Sequence, residues 1–193
     1  MSKNPVVWEW NVGTSFCVLR GIQNVEDDYE LSKGVSRAQR FPKDACFHMD
    51  PKYKKYVALA DNIDNLDRSL VVSRRLKEFI ESKSPPDVEY LRVSIINHKK
   101  KVASDEYFII NPLRVIDCID KEKTRILWNN IDPEKISACS DVVLHPEALD
   151  DSLLLFRPKH LEYYVMVHPD FAREIEGAGF TGLRFTDLDE FES

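Results

Sequence analysis

The sequence predicts an α+β fold, a mainly antiparallel sheet with a few packed helices. Three observations lead there. Short runs rich in β-branched and aromatic residues recur along the chain, among them Val88–Ile96, Glu106–Asn111 and Arg114–Ile119. Two segments carry apolar residues at helical spacing, and they do not alternate regularly with the strands. No repeat or low-complexity tract interrupts the pattern, and only six glycines are present.

The elements follow in order. Val6-Val-Trp-Glu-Trp-Asn-Val12 and Ser15-Phe-Cys-Val-Leu19 read as strands separated by Gly13, a candidate hairpin. Residues 22–44 are acidic and then basic, and read as loop with a short helix. Ala45-Cys-Phe-His-Met49 is apolar and closed by Asp50-Pro51, and residues 61–67 form an acidic turn. Val72, Leu76, Phe79 and Ile80 then make one stripe of a helix with Arg74, Arg75, Lys77, Glu78 and Glu81 on its wet face. Ser69 or Ser73 supplies the N-cap, and Pro85-Pro86 ends it. Strands are expected at Val88–Ile96, Glu106–Asn111, Arg114–Ile119, Arg125–Trp128, Asp141–Leu144 and Leu153–Phe156, with Lys99-Lys-Lys101 as a basic turn.

The closing unit is the best specified. A strand around residues 163–167 precedes a helix capped by His168 or Asp170, with Pro169 suited to the first helical position. Phe171, Ile175 and Ala178 form the buried stripe. Gly179 stands where a left-handed residue ends a helix, Phe180 supplies the accompanying hydrophobic contact, and Thr181-Gly182 turns into a strand at Leu183–Phe185.

With 193 residues, 43% hydrophobic and 31% charged, the chain has the make-up of an ordinary soluble domain. Its net charge of -6 is uneven: residues 1–100 carry 17 Lys and Arg against 14 Asp and Glu, residues 101–193 carry 10 against 19. Nucleic-acid binding needs the opposite balance. A partner steered by this charge is expected to be basic, unless the charge merely aids solubility. Met1-Ser-Lys-Asn-Pro5 has no apolar signal core and no run of about 18 apolar residues occurs, so no membrane span and a cytoplasmic setting are expected. Cys17, Cys46, Cys118 and Cys139 lack zinc or redox spacing, and the five histidines, His48, His98, His145, His160 and His168, lack paired-ligand spacing. No nucleophile elbow or phosphate-binding glycine loop is present, and Asp117 and Asp120 should point to opposite sides of a strand. No catalytic, metal or cofactor residue is assigned.

From residue 72 to 185 the succession of segments is familiar. Val115-Ile-Asp-Cys-Ile-Asp120 and Gly179-Phe-Thr-Gly-Leu-Arg-Phe185 are its most distinctive parts, with Val72-Ser-Arg-Arg-Leu76, Tyr107-Phe-Ile-Ile-Asn111, Leu155-Phe-Arg157 and Tyr164-Val-Met-Val167 beside them. This order resembles family eleven of the bacterial immunity proteins of polymorphic toxin systems, over about two thirds of the chain and least over residues 1–44. Residues 1–44 are read as a strand pair and polar loop belonging to the same fold, and residues 45–193 as the immunity-protein-like domain. The resemblance implies a cytoplasmic protein that binds and neutralises a co-encoded toxin, a nuclease among the classes, without catalytic residues of its own. The acids Asp187, Asp189, Glu190 and Glu192 are the candidate contacts to a basic toxin domain, with a frayed acidic terminus as the alternative. A small hydrolase or nucleotide-modifying enzyme, and an adaptor for a partner other than a toxin, are the competing functions.

Overall fold

A computed structural model describes residues 4–10, 15–150 and 152–193. The first six strands are β1 (Val6–Trp10), β2 (Cys46–His48), β3 (Asn62–Ile63), β4 (Leu70–Ser73), β5 (Val88–Ile96) and β6 (Val102–Pro112). The rest are β7 (Val115–Ile116), β8 (Arg125–Trp128), β9 (Ile136–Ser140), β10 (Leu155–Pro158), β11 (Met166–Val167) and β12 (Leu183–Thr186). Two α-helices, α1 (Arg74–Ser82) and α2 (Pro169–Gly177), complete the α+β fold that the sequence predicts. Among the described residues no helix is long and apolar enough to cross a membrane.

The strands form one sheet in the order β12-β1-β11-β10-β7, a second in the order β2-β5-β6-β4-β3, and a separate β8–β9 ribbon. Pairing is antiparallel except for β10 with β7 and β2 with β5. Because neighbouring side chains point to opposite faces, each sheet divides two cores. Val6, Trp8 and Val167 of the first sheet meet Val72 and Ile110 of the second in a middle layer, with Leu76 and Ile80 of α1 and Phe171 and Ile175 of α2. Val7, Phe156 and Met166 face a second core that holds Ile136, Leu188 and Phe191. Val71, Leu91, Val93 and Ile109 face a third, beneath Leu19, Leu31 and Phe47.

Both helices start and stop as their sequences dictate. Ser73 caps α1 by accepting from Leu76 N, which assigns Val72 to β4 and not to the helix. At α2 the cap is His168, whose ring accepts from Asp170 N, and Pro169 follows it. Gly179 ends α2 with φ +69°, and Phe180 packs edge-on against Phe79 with centroids 5.3 Å apart.

The early hairpin does not form. β1 lies between β11 and β12, whereas Phe16 bridges Ala58 and Leu19 bridges Met49 and Asn65 in the region of the second sheet. Two adjacent apolar runs thus serve different sheets. The expected strand end Asn11–Val12 and the Gly13 turn lie outside the described residues, as do Met1–Lys3. The short helix expected within residues 22–44 is a 3-10 turn, Asp28–Ser32. Asp141–Leu144 is not a strand; its pairing reduces to a bridge between Ile119 and Leu144, and Ile136–Ser140 pairs with β8 instead. The strand expected at Arg114–Ile119 shortens to β7.

Two polar knots tie the layers. Asp61, just before β3, accepts from Ser73 Oγ (2.7 Å), Arg75 Nε and Nη2 (3.2 and 2.8 Å) and Thr181 N and Oγ1 (3.0 Å each). Next to it Asn62 N donates to Thr181 O (3.0 Å) and Asn62 Nδ2 to Gly182 O (3.1 Å). The turn between α2 and β12 is thereby joined to β3 and to the start of α1. At the second knot the buried Arg157, 3% exposed, donates to Pro112 O (3.0 Å), Leu31 O (2.9 Å) and Glu162 O (2.6 Å). Burial pushes its guanidinium down to about 10, against the opposing charge of Glu162. It connects β10 to β6 and to the Asp28–Ser32 turn.

Gly182 makes the first knot possible. At φ +80° it approaches so closely that a Cβ would lie 2.1 Å from Asn62 O and 2.6 Å from Ala60 Cβ. Gly182→Ala is expected to lower the unfolding free energy by about 3 kcal/mol or more, measured by urea denaturation. The Asp61 carboxyl gives a pH signature. Burial opposes its ionisation, but the hydrogen bonds from Arg75, Ser73 and Thr181 prevail and bring it from 3.8 to about 2. The charged form therefore favours folding, an advantage complete above about pH 4 and lost as pH falls toward about 2. Asp61→Asn is expected to cost about 1–2 kcal/mol at neutral pH and to flatten the stability profile across that acid window.

Candidate functional site

The C-terminal residues make an ordered turn, not a frayed end. Leu188 and Phe191 are buried, and Phe191 packs edge-on against Tyr164 with centroids 4.8 Å apart. Ser193 N donates to Cys139 O (3.1 Å) and its hydroxyl accepts from Cys139 N (2.9 Å), which fastens the end of the chain to β9. With those side chains turned inward, Asp187, Asp189, Glu190 and Glu192 are all exposed.

These four carboxylates have no ion-pair partner among the described residues. Nearby acids differ: Asp117 meets Lys121 and Lys159, Asp141 meets Arg125, Glu162 meets Lys135 and Glu9 meets Arg184. The edge is therefore an uncompensated negative strip, available to a cationic surface. The four acids do not converge on one point. Asp187 borders a hollow of about 310 Å³ with Arg173 and Phe185, whereas Glu192 borders one of about 450 Å³ between the tail and the β8–β9 ribbon.

The ribbon brings a second component that sequence reasoning missed. Leu127 is 63% exposed, Trp128 36% and Ile131 96%. Trp128 leans edge-on against His160 at 5.5 Å, so one side of the indole is braced. Asn129 orders the loop by accepting through Oδ1 from Ile131 N (2.8 Å) and Asp132 N (2.9 Å), while Asn129 N donates to Lys135 O (2.9 Å). Ile131 is thus held outward by a built turn. Arg125-Ile-Leu-Trp128 reads in sequence as a strand, with nothing to mark its side chains as exposed. The remaining signal was Asn129-Asn130 with Pro133 nearby, which marks a tight turn directly after consecutive apolar residues.

The other sequence candidates resolve into structural roles. Asp117 pairs with Lys121 and Lys159, whereas Asp120 caps a turn through Glu122 N (3.1 Å) and Lys123 N (3.2 Å). His168 caps α2 and His160 Nδ1 contacts Glu134 O at 2.7 Å. All four thiols are free; burial pushes Cys17 up to about 11 and Cys118 up to about 12, which suppresses their nucleophilic thiolates. Among the described residues no group of three or more His, Cys, Asp or Glu could hold a metal ion. A further hollow, about 580 Å³, runs along β5 and is lined by Phe41, Lys43, Tyr90, Arg92 and Asp105.

Carboxylates and projecting apolar side chains are the groups that protein-recognition surfaces use, the first at the rim and the second for burial. A family model described as an immunity protein family, Imm11, matches residues 18–190. The chain belongs to this family. The Imm11 match reaches further toward the N-terminus than the segments from residue 72 that carry the sequence resemblance, and it includes most residues of each core. No curated protein matches the sequence.

Phe191 connects the candidate edge to the core. Phe191→Ala is expected to cost about 3 kcal/mol or more and to release Ser193 from Cys139. Under native conditions a maleimide should then label Cys139, which stays unlabelled in the parent protein.

Proposed function

We propose that this Imm11 protein acts in the cytoplasm by binding a cognate bacterial toxin and blocking it stoichiometrically, without turnover. The observation that carries the reading is the family match over residues 18–190. Within that reading the toxin domain is basic and a nuclease is the favoured class, because a nuclease cleft must attract phosphate and is itself attracted by a carboxylate strip. Neither nucleic acid nor membrane is a partner in this account.

The docking surface in this proposal combines Asp187, Asp189, Glu190 and Glu192 with Leu127, Trp128 and Ile131. The acids speed encounter and set orientation, and the apolar trio supplies the buried area that slows dissociation. The edge differs from a loose acidic tail because Leu188, Phe191 and Ser193 fix it to the core. A fixed edge loses less side-chain and backbone freedom on binding, which raises affinity for a given set of contacts.

The direct test is co-expression with the toxin encoded beside this gene. The chain should restore growth, and purified toxin should form a 1:1 complex with it. Asp189→Lys with Glu190→Lys is expected to weaken the complex about tenfold or more at low salt, with the loss shrinking as ionic strength rises. Ile131→Asp should weaken it by a similar factor that salt does not change. Unchanged affinity in both variants would remove this surface from the account, and failure to protect against any neighbouring toxin would remove the function.

A further inference from the structure

A second surface, unrelated to the acidic edge, is built around the end of β2. The backbone there is held from both sides: Arg20 N donates to His48 O (2.8 Å) and Met49 N to Ile96 O (2.9 Å). The β5–β6 turn beside it is rigid as well. Asn97 Oδ1 accepts from Lys99 N (2.9 Å) and Lys101 N (3.2 Å), and Lys100 takes φ +56°. Asp50 turns inward to cap the next segment by accepting from Lys52 N (2.9 Å), and Lys54 follows.

These three segments enclose a cavity of about 350 Å³ into which Arg20, His48, Lys54, His98 and Lys100 contribute, and no carboxylate lines it. Arg20, Lys54 and Lys100 have no ion-pair partner among the described residues, nor do Lys55, Lys99 and Lys101 in the flanking turns. Several cations elsewhere are neutralised, as Arg92 is by Asp105 and Arg114 by Asp87. In addition His98 Nε2 is buried without a hydrogen-bond partner. Unshared positive charge around a concavity, with one buried polar atom unanswered, is a site that gains free energy when an anion enters.

We propose that this cavity binds the phosphate or diphosphate group of a small anion. Arg20 offers a planar fork matched to phosphate oxygens, Lys54 and Lys100 act as point charges, and His98 Nε2 supplies a directed ring nitrogen. The volume lies at the lower end of small-molecule sites. No Phe, Tyr or Trp lines the cavity, and its cations favour recognition of the phosphate group itself. The site stands independently of toxin binding.

Isothermal titration of the full chain with sodium pyrophosphate at constant ionic strength tests it. One saturable site is expected. Arg20→Gln with Lys100→Gln should weaken binding about tenfold or more, and Lys54→Gln alone should weaken it measurably, whereas Lys159→Gln, on the Asp117 ion pair, should not. Vesicles that carry a phosphoinositide distinguish a lipid headgroup, whose binding pyrophosphate would displace, from a soluble ligand, which leaves the vesicles unbound. The proposal fails if pyrophosphate shows no saturable binding, if stoichiometry exceeds one, if the cavity variants bind as tightly as the parent, or if a single-stranded oligonucleotide binds where pyrophosphate does not.

Discussion

The Asp61 carboxylate is the constraint on which the remainder of the fold leans. It gathers the start of α1 through Ser73 and Arg75 and the α2–β12 turn through Thr181, from a position 120 residues earlier in the chain. Each bond alone is modest, on the order of 1 kcal/mol net. Their joint effect is geometric. They fix the register at which β12 meets β1, and β12 leads directly into the turn that carries Leu188 and Phe191 into the core. The acidic edge therefore has a defined position because a hydrogen-bonded knot upstream gives it one. Arg157 does the corresponding job on the other side of the middle layer, where a single guanidinium answers three carbonyls from separate segments.

This gives the family-distinctive ending a physical meaning. In Gly179-Phe-Thr-Gly-Leu-Arg-Phe185 the first glycine stops α2 at a positive φ, Phe180 packs on Phe79 and lies 4.2 Å under the Arg75 guanidinium, and Thr181 grips Asp61. Gly182 lets two backbones touch. Every residue of the motif up to the strand serves the junction between the sheets. A motif of this kind marks a fold, and the surface that meets a partner is free to vary around it.

Much of the fold was legible because its signals are local. The stripe of Leu76, Phe79 and Ile80, the Ser73 cap and the Gly179 stop all act within a few residues, and β5 and β8 came out with their observed ends. Pairing partners were not legible. Val6–Trp10 and Phe16–Leu19 look like a hairpin to any rule based on proximity, yet the first joins β11 and β12 and the second makes only isolated bridges to Ala58, Met49 and Asn65, because alternation fixes a strand's faces but not its neighbours. The site was half legible for the same reason. The four acids are visible as charge, but their ordering depends on Ser193 meeting Cys139 across 54 residues. Leu127 lies in an expected strand and Ile131 in no expected element, and nothing in the sequence marks either as exposed. The basic cavity is assembled from Arg20, His48, Lys54 and the 97–101 turn; in the sequence Lys99-Lys-Lys101 stood out only as a basic turn, and His48 and His98 only as histidines without paired-ligand spacing.

Two surfaces thus differ in chemistry: one has unpaired carboxylates and apolar anchors by the C-terminus, the other unpaired cations around the end of β2 and the β5–β6 turn. In the proposed function the first of these surfaces meets the toxin. Hydrogen-exchange mass spectrometry of the chain with and without its cognate toxin addresses it most directly. The account expects new protection in residues 125–143 and 187–193, with little change in β5 and β6. Protection confined to the 97–101 turn and the β2 end, with the ribbon and tail unchanged, would contradict it.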